Sequence, residues 1–141
     1  MKPRSAKSKG KRAQNVIREM ILGHFPDLHP DDVVSTLMGD SGTDIKLSHA
    51  ARQKFPYSVE SKNQEKLNIW AALEQAETNT KEGTFPVLFF KRNRSKLYVA
   101  IDADHFFDLI KRLPPPWFFP HNVLDCRYDY TYTSSRIIGP V

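Results

Sequence analysis

Residues 39–66, GDSGTDIKLSHAARQKFPYSVESKNQEK, decide the reading of the fold. A glycine-bearing turn over 39–43 leads into a short apolar segment, 44–47, that opens with Asp44 and reads as a β-strand. Ser48 is placed to cap a helical turn over 49–54, which stops before Pro56. The next strand is 57–62, Tyr-Ser-Val-Glu-Ser-Lys. Side chains alternate along a strand, so Ser58, Glu60 and Lys62 share one face while Tyr57, Val59 and Ser61 share the other. If Asp44 begins the neighbouring antiparallel strand, its carboxylate converges with that of Glu60. Two hard oxygen ligands of this kind suit Mg2+, with a lysine at the rim. An isolated Glu-x-Lys is ordinarily two exposed residues on a half-buried strand; the acid upstream is what singles this one out.

Working outward toward the N-terminus, 33–38 is rich in β-branched residues and reads as the first strand, behind a segment broken by Pro26 and Pro30. Residues 13–23 place Val16, Ile17, Met20 and Ile21 at helical spacing, with Gly23 as a stop. Before that helix, MKPRSAKSKGKR (1–12) carries Lys2, Arg4, Lys7, Lys9, Lys11 and Arg12 with no acid to balance them. Such a segment is expected to be a flexible basic arm that either contacts phosphates or only solubilises the chain.

Toward the C-terminus, 66–78 reads as a helix whose apolar face is Leu67, Trp70, Ala71 and Leu73. Residues 86–90 and 96–101 are two further strands, joined by the basic loop Lys91, Arg92, Asn93, Arg94, Ser95. The unbroken apolar run of the first of them predicts a central strand covered on both faces. A closing helix over 102–112 is expected to cover the sheet with Phe106, Phe107, Leu109 and Ile110, capped by Asp102 or Asp104. Three prolines then open a Pro/aromatic-rich tail, 114–141, whose Trp117, Phe118, Phe119, Tyr128, Tyr130 and Tyr132 can stack on bases, cover a dimer interface or pack back on the same subunit, packing being the favoured use.

The chain of 141 residues, 16.3 kDa, is expected to form one compact domain over 13–113 flanked by the arm (1–12) and the tail (114–141). Its formal net charge of +5 and pI near 9.4 favour an anionic partner, for which nucleic acid is the commonest choice and a membrane surface the weaker one. No run approaches the ~18 apolar residues of a membrane span and no apolar signal core follows the N-terminal lysines, so a soluble, cytoplasmic protein is expected. The single cysteine, Cys126, excludes an intrachain disulfide and a cysteine-based zinc site. His24, His29, His49, His105 and His121 show no ligand spacing.

The order helix, strand, strand with Asp44, strand with Glu60-Ser61-Lys62, helix, two strands resembles the PD-(D/E)XK nuclease superfamily. The spacing from the acid to Glu-x-Lys, the glycine turn before the acid, and Asn63-Gln64 after the lysine are similar to small phage-encoded nucleases and Holliday-junction-resolvase-like endonucleases. The likeness spans about residues 9–112 and does not reach the tail. It implies an α/β, restriction-endonuclease-like core with a central mixed five-stranded sheet flanked by helices, in the order α-β-β-β-α-β-β-α. It implies Mg2+, for which Mn2+ can substitute, held by Asp44, Glu60 and the backbone carbonyl of Ser61, with Lys62 acting on the attacking water. Related resolvases carry a glutamate about four residues after a Lys-Gly step; here Lys9-Gly10 is followed by Gln14, which either holds a water through its amide oxygen or marks a weakened site. DNA contacts are assigned to Lys7, Lys9, Lys11 and Arg12 of the arm, to Gln64, and to Arg92 and Arg94, with Lys91 and Lys96 beside them. The expected activity is a Mg2+-dependent DNA endonuclease selective for branched DNA and working as a homodimer, in the host cytoplasm if phage-encoded. The alternatives are a nucleic-acid-binding protein that keeps the fold with weak or no cleavage, and a phage structural or host-takeover interaction protein.

Overall fold

The computed structural model describes residues 3–37 and 40–114, with side chains from Ala6 onward. The aromatic tail expected over 114–141, Met38 at the end of the first expected strand and Gly39 of the turn after it lie outside the described residues apart from Pro114. The chain divides into two compact units, Met1–Asp102 and Ala103–Val141. The last described helix falls in the second of these units.

Helix α1 spans Pro3–His24. The twelve-residue arm expected to be flexible is thus helical from its third residue. Its lysines and arginines are good helix formers, and the segment continues without a break into the amphipathic turns that follow. Gly23 lies inside α1; the stop is Phe25-Pro26, since a residue before proline is pushed out of the helical region. The face that α1 buries is Ala13, Gln14, Ile17 and Ile21, whereas Val16 and Met20, expected on it, are exposed. Arg18 ties the helix down, donating from Nε to the Val33 carbonyl (2.6 Å) and from Nη2 to the Pro30 carbonyl (2.8 Å).

A 3-10 turn, Pro30–Asp32, precedes β1 (Val33–Ser35), which pairs antiparallel with β2 (Ile45–Leu47). The Asp32 carboxyl is held below its usual value by hydrogen bonds from the Ser48 hydroxyl and the His29 backbone N–H, so both ends of this hairpin are pinned together. Ser48 also caps α2 (His49–Lys54), accepting from the Ala51 N–H, as its position in the sequence predicts. Strand β3 (Tyr57–Asn63) runs parallel to β4 (Phe85–Lys91), and α3 (Ile69–Thr78) makes the crossover that a parallel pair needs. Strand β5 (Tyr98–Ala100) returns antiparallel to β4, leaving β4 central in the order β3-β4-β5. Val87, Leu88 and Phe89 are buried in succession, which requires cover on both faces of β4.

That cover differs on the two sides. Ile17 and Ile21 join Val59, Val87, Phe89, Val33 and Ile45 in the main core. On the opposite face Leu88 is fully buried beside Ala72 and Ala76 of α3. The buried face of α3 is therefore made of small residues. Trp70, expected on it, is 79% exposed, because the buried positions 72 and 76 lie on a different stripe of the helix.

The fold is α/β with two sheets, of two and three strands, in place of the single five-stranded sheet expected. Its cause is local. Where the two sheets meet, the Asp44 N–H, just before β2, donates to the Val59 carbonyl of β3 at 2.8 Å, and the next rung is made by the Asp44 carboxylate accepting from the Ser61 N–H at 2.7 Å. In the second unit, α4 (Ala103–Arg112) carries an edge-to-face pair, Phe106 and Phe107, with ring centroids 5.6 Å apart.

Candidate active site

Glu60 lies at the middle of β3 and turns toward α3, almost fully buried. A carboxylate taken out of water needs compensation, and two groups supply it. Its Oε1 lies 2.8 Å from the Lys62 ammonium, two residues along the same face, and its Oε2 accepts from Asn79 Nδ2 at 3.3 Å. Lys62 in turn donates to Gln75 Oε1 at 2.8 Å. Asn79 caps the end of α3 and Gln75 sits one turn before it. Sequence reasoning missed both; their i, i+4 spacing beside the small-residue stripe is the signal that would have found them.

Asp44 is held from four directions. Its N–H donates to Val59, its carbonyl accepts from the Thr36 N–H (2.9 Å), Oδ2 accepts from the Ser61 N–H, and Oδ1 accepts from Gln14 Nε2 at 2.9 Å. The turn that delivers it is closed by Thr36, whose hydroxyl donates to the Thr43 carbonyl, and passes through Gly42 at φ +99°, a conformation that glycine tolerates. A residue in a strand points its N–H and C=O to the same edge, so the Ser61 carbonyl also faces away from β4, on the side of Asp44. Asp44 and Glu60 are thus set against consecutive parts of β3 but braced by different helices, Asp44 by α1 and Glu60 by α3. Among the described residues the two carboxylates share no hydrogen-bonding partner, and no group of three or more His, Cys, Asp or Glu is assembled as a metal site.

Gln14 is where the sequence departs from the resolvase pattern, and it faces the site: it is 7% exposed and bonded to Asp44. Its other amide atom, Oε1, is buried with no hydrogen-bond partner, as is Oδ1 of Asn63 on the same face of β3 as Ser61. A buried acceptor without a donor costs about 1–3 kcal/mol. Turning the Gln14 amide over would put Oε1 against the Asp44 carboxylate, an arrangement that is favourable only with a cation beside both. The oxygens of Asp44, the Ser61 carbonyl and Gln14 are all hard donors, so the residues present fit Mg2+ or Mn2+.

Gln14→Glu tests this placement. In a chelator the new carboxylate faces that of Asp44, so the melting temperature should fall. With Mg2+ the added charge should tighten metal binding about tenfold, the scale on which ligand surroundings alter affinity. Calorimetric titration and melting curves equal to wild type in both conditions would remove Gln14 from the site.

The basic residues divide into two groups. Lys11 spends its ammonium on the Thr36 and Ser35 carbonyls (3.1 and 3.5 Å), a structural use not expected from the sequence. Lys9 donates to Asn93 Oδ1 at 2.9 Å, and its carbonyl accepts from Asn63 Nδ2 at 3.4 Å, so α1 is tied to the β4–β5 loop. Lys7, Arg12, Gln64, Arg92 and Arg94 remain exposed. Arg94 takes φ +58° at the turn of the loop. Lys9, Arg92 and Arg94 are thereby brought to the carboxyl ends of β3 and β4, the region where parallel sheets place their ligands.

No protein-family model, curated protein or solved structure matches the chain.

Proposed function

We propose that the chain is a metal-dependent deoxyribonuclease with a PD-(D/E)XK-like core, its two sheets acting as halves of one restriction-endonuclease-like layer joined at Asp44. The observation that carries this reading is the joint itself. An acid at the start of one strand is bonded to the backbone of the Glu-x-Lys strand, with an unpartnered buried oxygen of Gln14 beside it. Asp44, Glu60, the Ser61 carbonyl and Gln14 would hold Mg2+. The ion supplies positive charge against the negative charge that builds on a phosphodiester under attack.

The rest follows from the chain's own groups. Lys62 has three N–H donors; two are taken by Glu60 and Gln75, and the partly exposed ammonium keeps one for a phosphate oxygen or the attacking water. Asn79 and Gln75 fix the directions of Glu60 and Lys62, which limits reorganisation during the reaction. Exposed Lys7, Arg12, Arg92 and Arg94 meet the sugar-phosphate backbone and set register without reading sequence. No covalent nucleophile is needed. Selectivity for branched DNA and a homodimer belong to the same proposal, since coordinated cutting of two strands at a junction needs two equivalent sites. Among the described residues no helix is long and apolar enough to cross a membrane.

A second reading, a nucleic-acid-binding protein with weak or no cleavage, is favoured by the closed Glu60–Lys62 pair and by the neutral Gln14. Supercoiled plasmid incubated with the full chain and Mg2+ or Mn2+ separates the two: nicking that chelator abolishes supports the first, and intact plasmid at every metal concentration overturns it. Both readings share a further expectation. Neutralising Lys7 and Arg12 to glutamine should lower the slope of log affinity against log salt by about 0.9 for each phosphate that is no longer neutralised. An unchanged slope in a salt-dependent DNA titration would place the start of α1 away from the DNA.

A further inference from the structure

A cavity of about 270 Å3 opens at the carboxyl ends of β3 and β4, bordered by Gln64, Leu67, Phe90, Lys91, Arg92 and Tyr98. Its position follows from strand register. Lys62 lies opposite Phe90, and Phe90 opposite Tyr98, so the three side chains form a row on one face of the sheet. With neighbouring strands about 4.8 Å apart, Phe90 lies one strand width and Tyr98 two from the strand that carries Lys62. The rings of Phe90 and Tyr98 are 5.9 Å apart and inclined by 31°, and Tyr98 is 54% exposed on an edge strand. An exposed aromatic beside a half-buried one, with two cations and an exposed amide in the same wall, is well matched to a flat heteroaromatic ring attached to a phosphate. The acid in this wall, Glu65, is engaged, its Oε1 accepting from the Asn93 N–H at 2.6 Å. The volume falls below the roughly 300–1,000 Å3 typical of drug-sized ligands, a size for one base.

We infer that this cavity takes a single unpaired nucleobase of the bound DNA strand, stacked on Tyr98 and Phe90, with Lys91 and Arg92 on its phosphate and Gln64 at its polar edge. The inference rests on the proposed nucleic-acid role and deepens it. A paired base cannot enter without leaving its stack, so the cavity selects DNA that already presents an unpaired nucleotide near the cleavage point, as branches, flaps and strand ends do.

Fluorescence anisotropy of the full chain in chelator tests it without cleavage. The probes are a labelled oligothymidine, an abasic strand of the same length, and a fully paired duplex of that length. Wild type should bind oligothymidine about tenfold more tightly than the abasic strand, the scale of one base stacking on an aromatic side chain. Tyr98→Ala should lose about that factor for oligothymidine alone, and Tyr98→Phe should keep it. The comparison of the two single strands uses only wild-type protein, so it holds even if Tyr98→Ala folds poorly. Equal affinity of wild type for the two single strands overturns the cavity assignment, as does a Tyr98→Ala loss that is as large for duplex as for oligothymidine. Failure of the nuclease reading looks different: the plasmid stays intact with metal, whatever the strands do in chelator.

Discussion

Asp44→Asn is expected to lower Mg2+-dependent nicking by at least about a hundredfold while leaving the fold and DNA affinity close to wild type, because it removes a ligand charge at the site and no basic surface. The hydrogen bonds allow this separation. The amide oxygen of the new side chain can still accept from the Ser61 N–H, and its NH2 can donate to Gln14 once that amide turns over. The Gln14 Oε1 then gains a donor while its NH2 takes over the buried position without a partner, so the melting temperature should stay close to wild type. Asp44→Ala is the contrasting variant: it strips the acceptor from the Ser61 N–H at the joint between the sheets and should cost about 1–3 kcal/mol. Nicking rates, salt-dependent DNA binding and denaturation of both variants check the assignment. Nicking by Asp44→Asn at the wild-type rate would overturn it.

Lys62→Ala should affect cleavage and stability together. Loss of the ammonium that meets the phosphate should slow nicking by about 10²–10³-fold, as removal of one charge-stabilising donor does in other hydrolases. The structural effect comes from Glu60, whose side chain is only 4% exposed and would keep the weaker 3.3 Å bond from Asn79 alone. Breaking a buried ion pair from one side costs about 3–5 kcal/mol, and the partial exposure of Lys62 puts this case near the lower end. Two companion measurements distinguish the causes. The double variant Glu60→Gln/Lys62→Met buries no charge and should recover most of the lost stability while remaining inactive. If Glu60 is a metal ligand, Mg2+ should raise the urea midpoint of Lys62→Ala more than that of wild type, the ion standing in for the missing ammonium. A Lys62→Ala protein as stable as wild type would mean that water reaches Glu60 freely and that the pair is not a structural element.

The elements were legible wherever a local signal had one meaning. Alternation placed β3 and the shared face of Ser58, Glu60 and Lys62, and an unbroken apolar run marked β4 as central. Ser48 and Pro56 bracketed α2. Local pattern misled where a residue's partner lay far off in the chain. Val16 and Met20 have helical spacing, but the stripe that meets the sheet is the one through Ala13, Gln14 and Ile17. Trp70 is a large apolar residue of α3, yet it is exposed while the alanines at 72 and 76 are buried. The basic arm carries charge that reads as disorder, but its lysines help extend α1.

By itself, then, the sequence determined the order of helices and strands, the basic character of the chain, and the alignment of Glu60 with Lys62, since each depends on propensity or period along a few residues. Tertiary structure alone decided that Asp44 bonds to β3 through its carboxylate and leaves two sheets, that Gln14 is buried against Asp44, and that α3 supplies Gln75 and Asn79 to the Glu60–Lys62 pair. Each of those contacts joins residues 13 or more positions apart, with geometry set by how helices lie across strands, and no local period encodes that crossing.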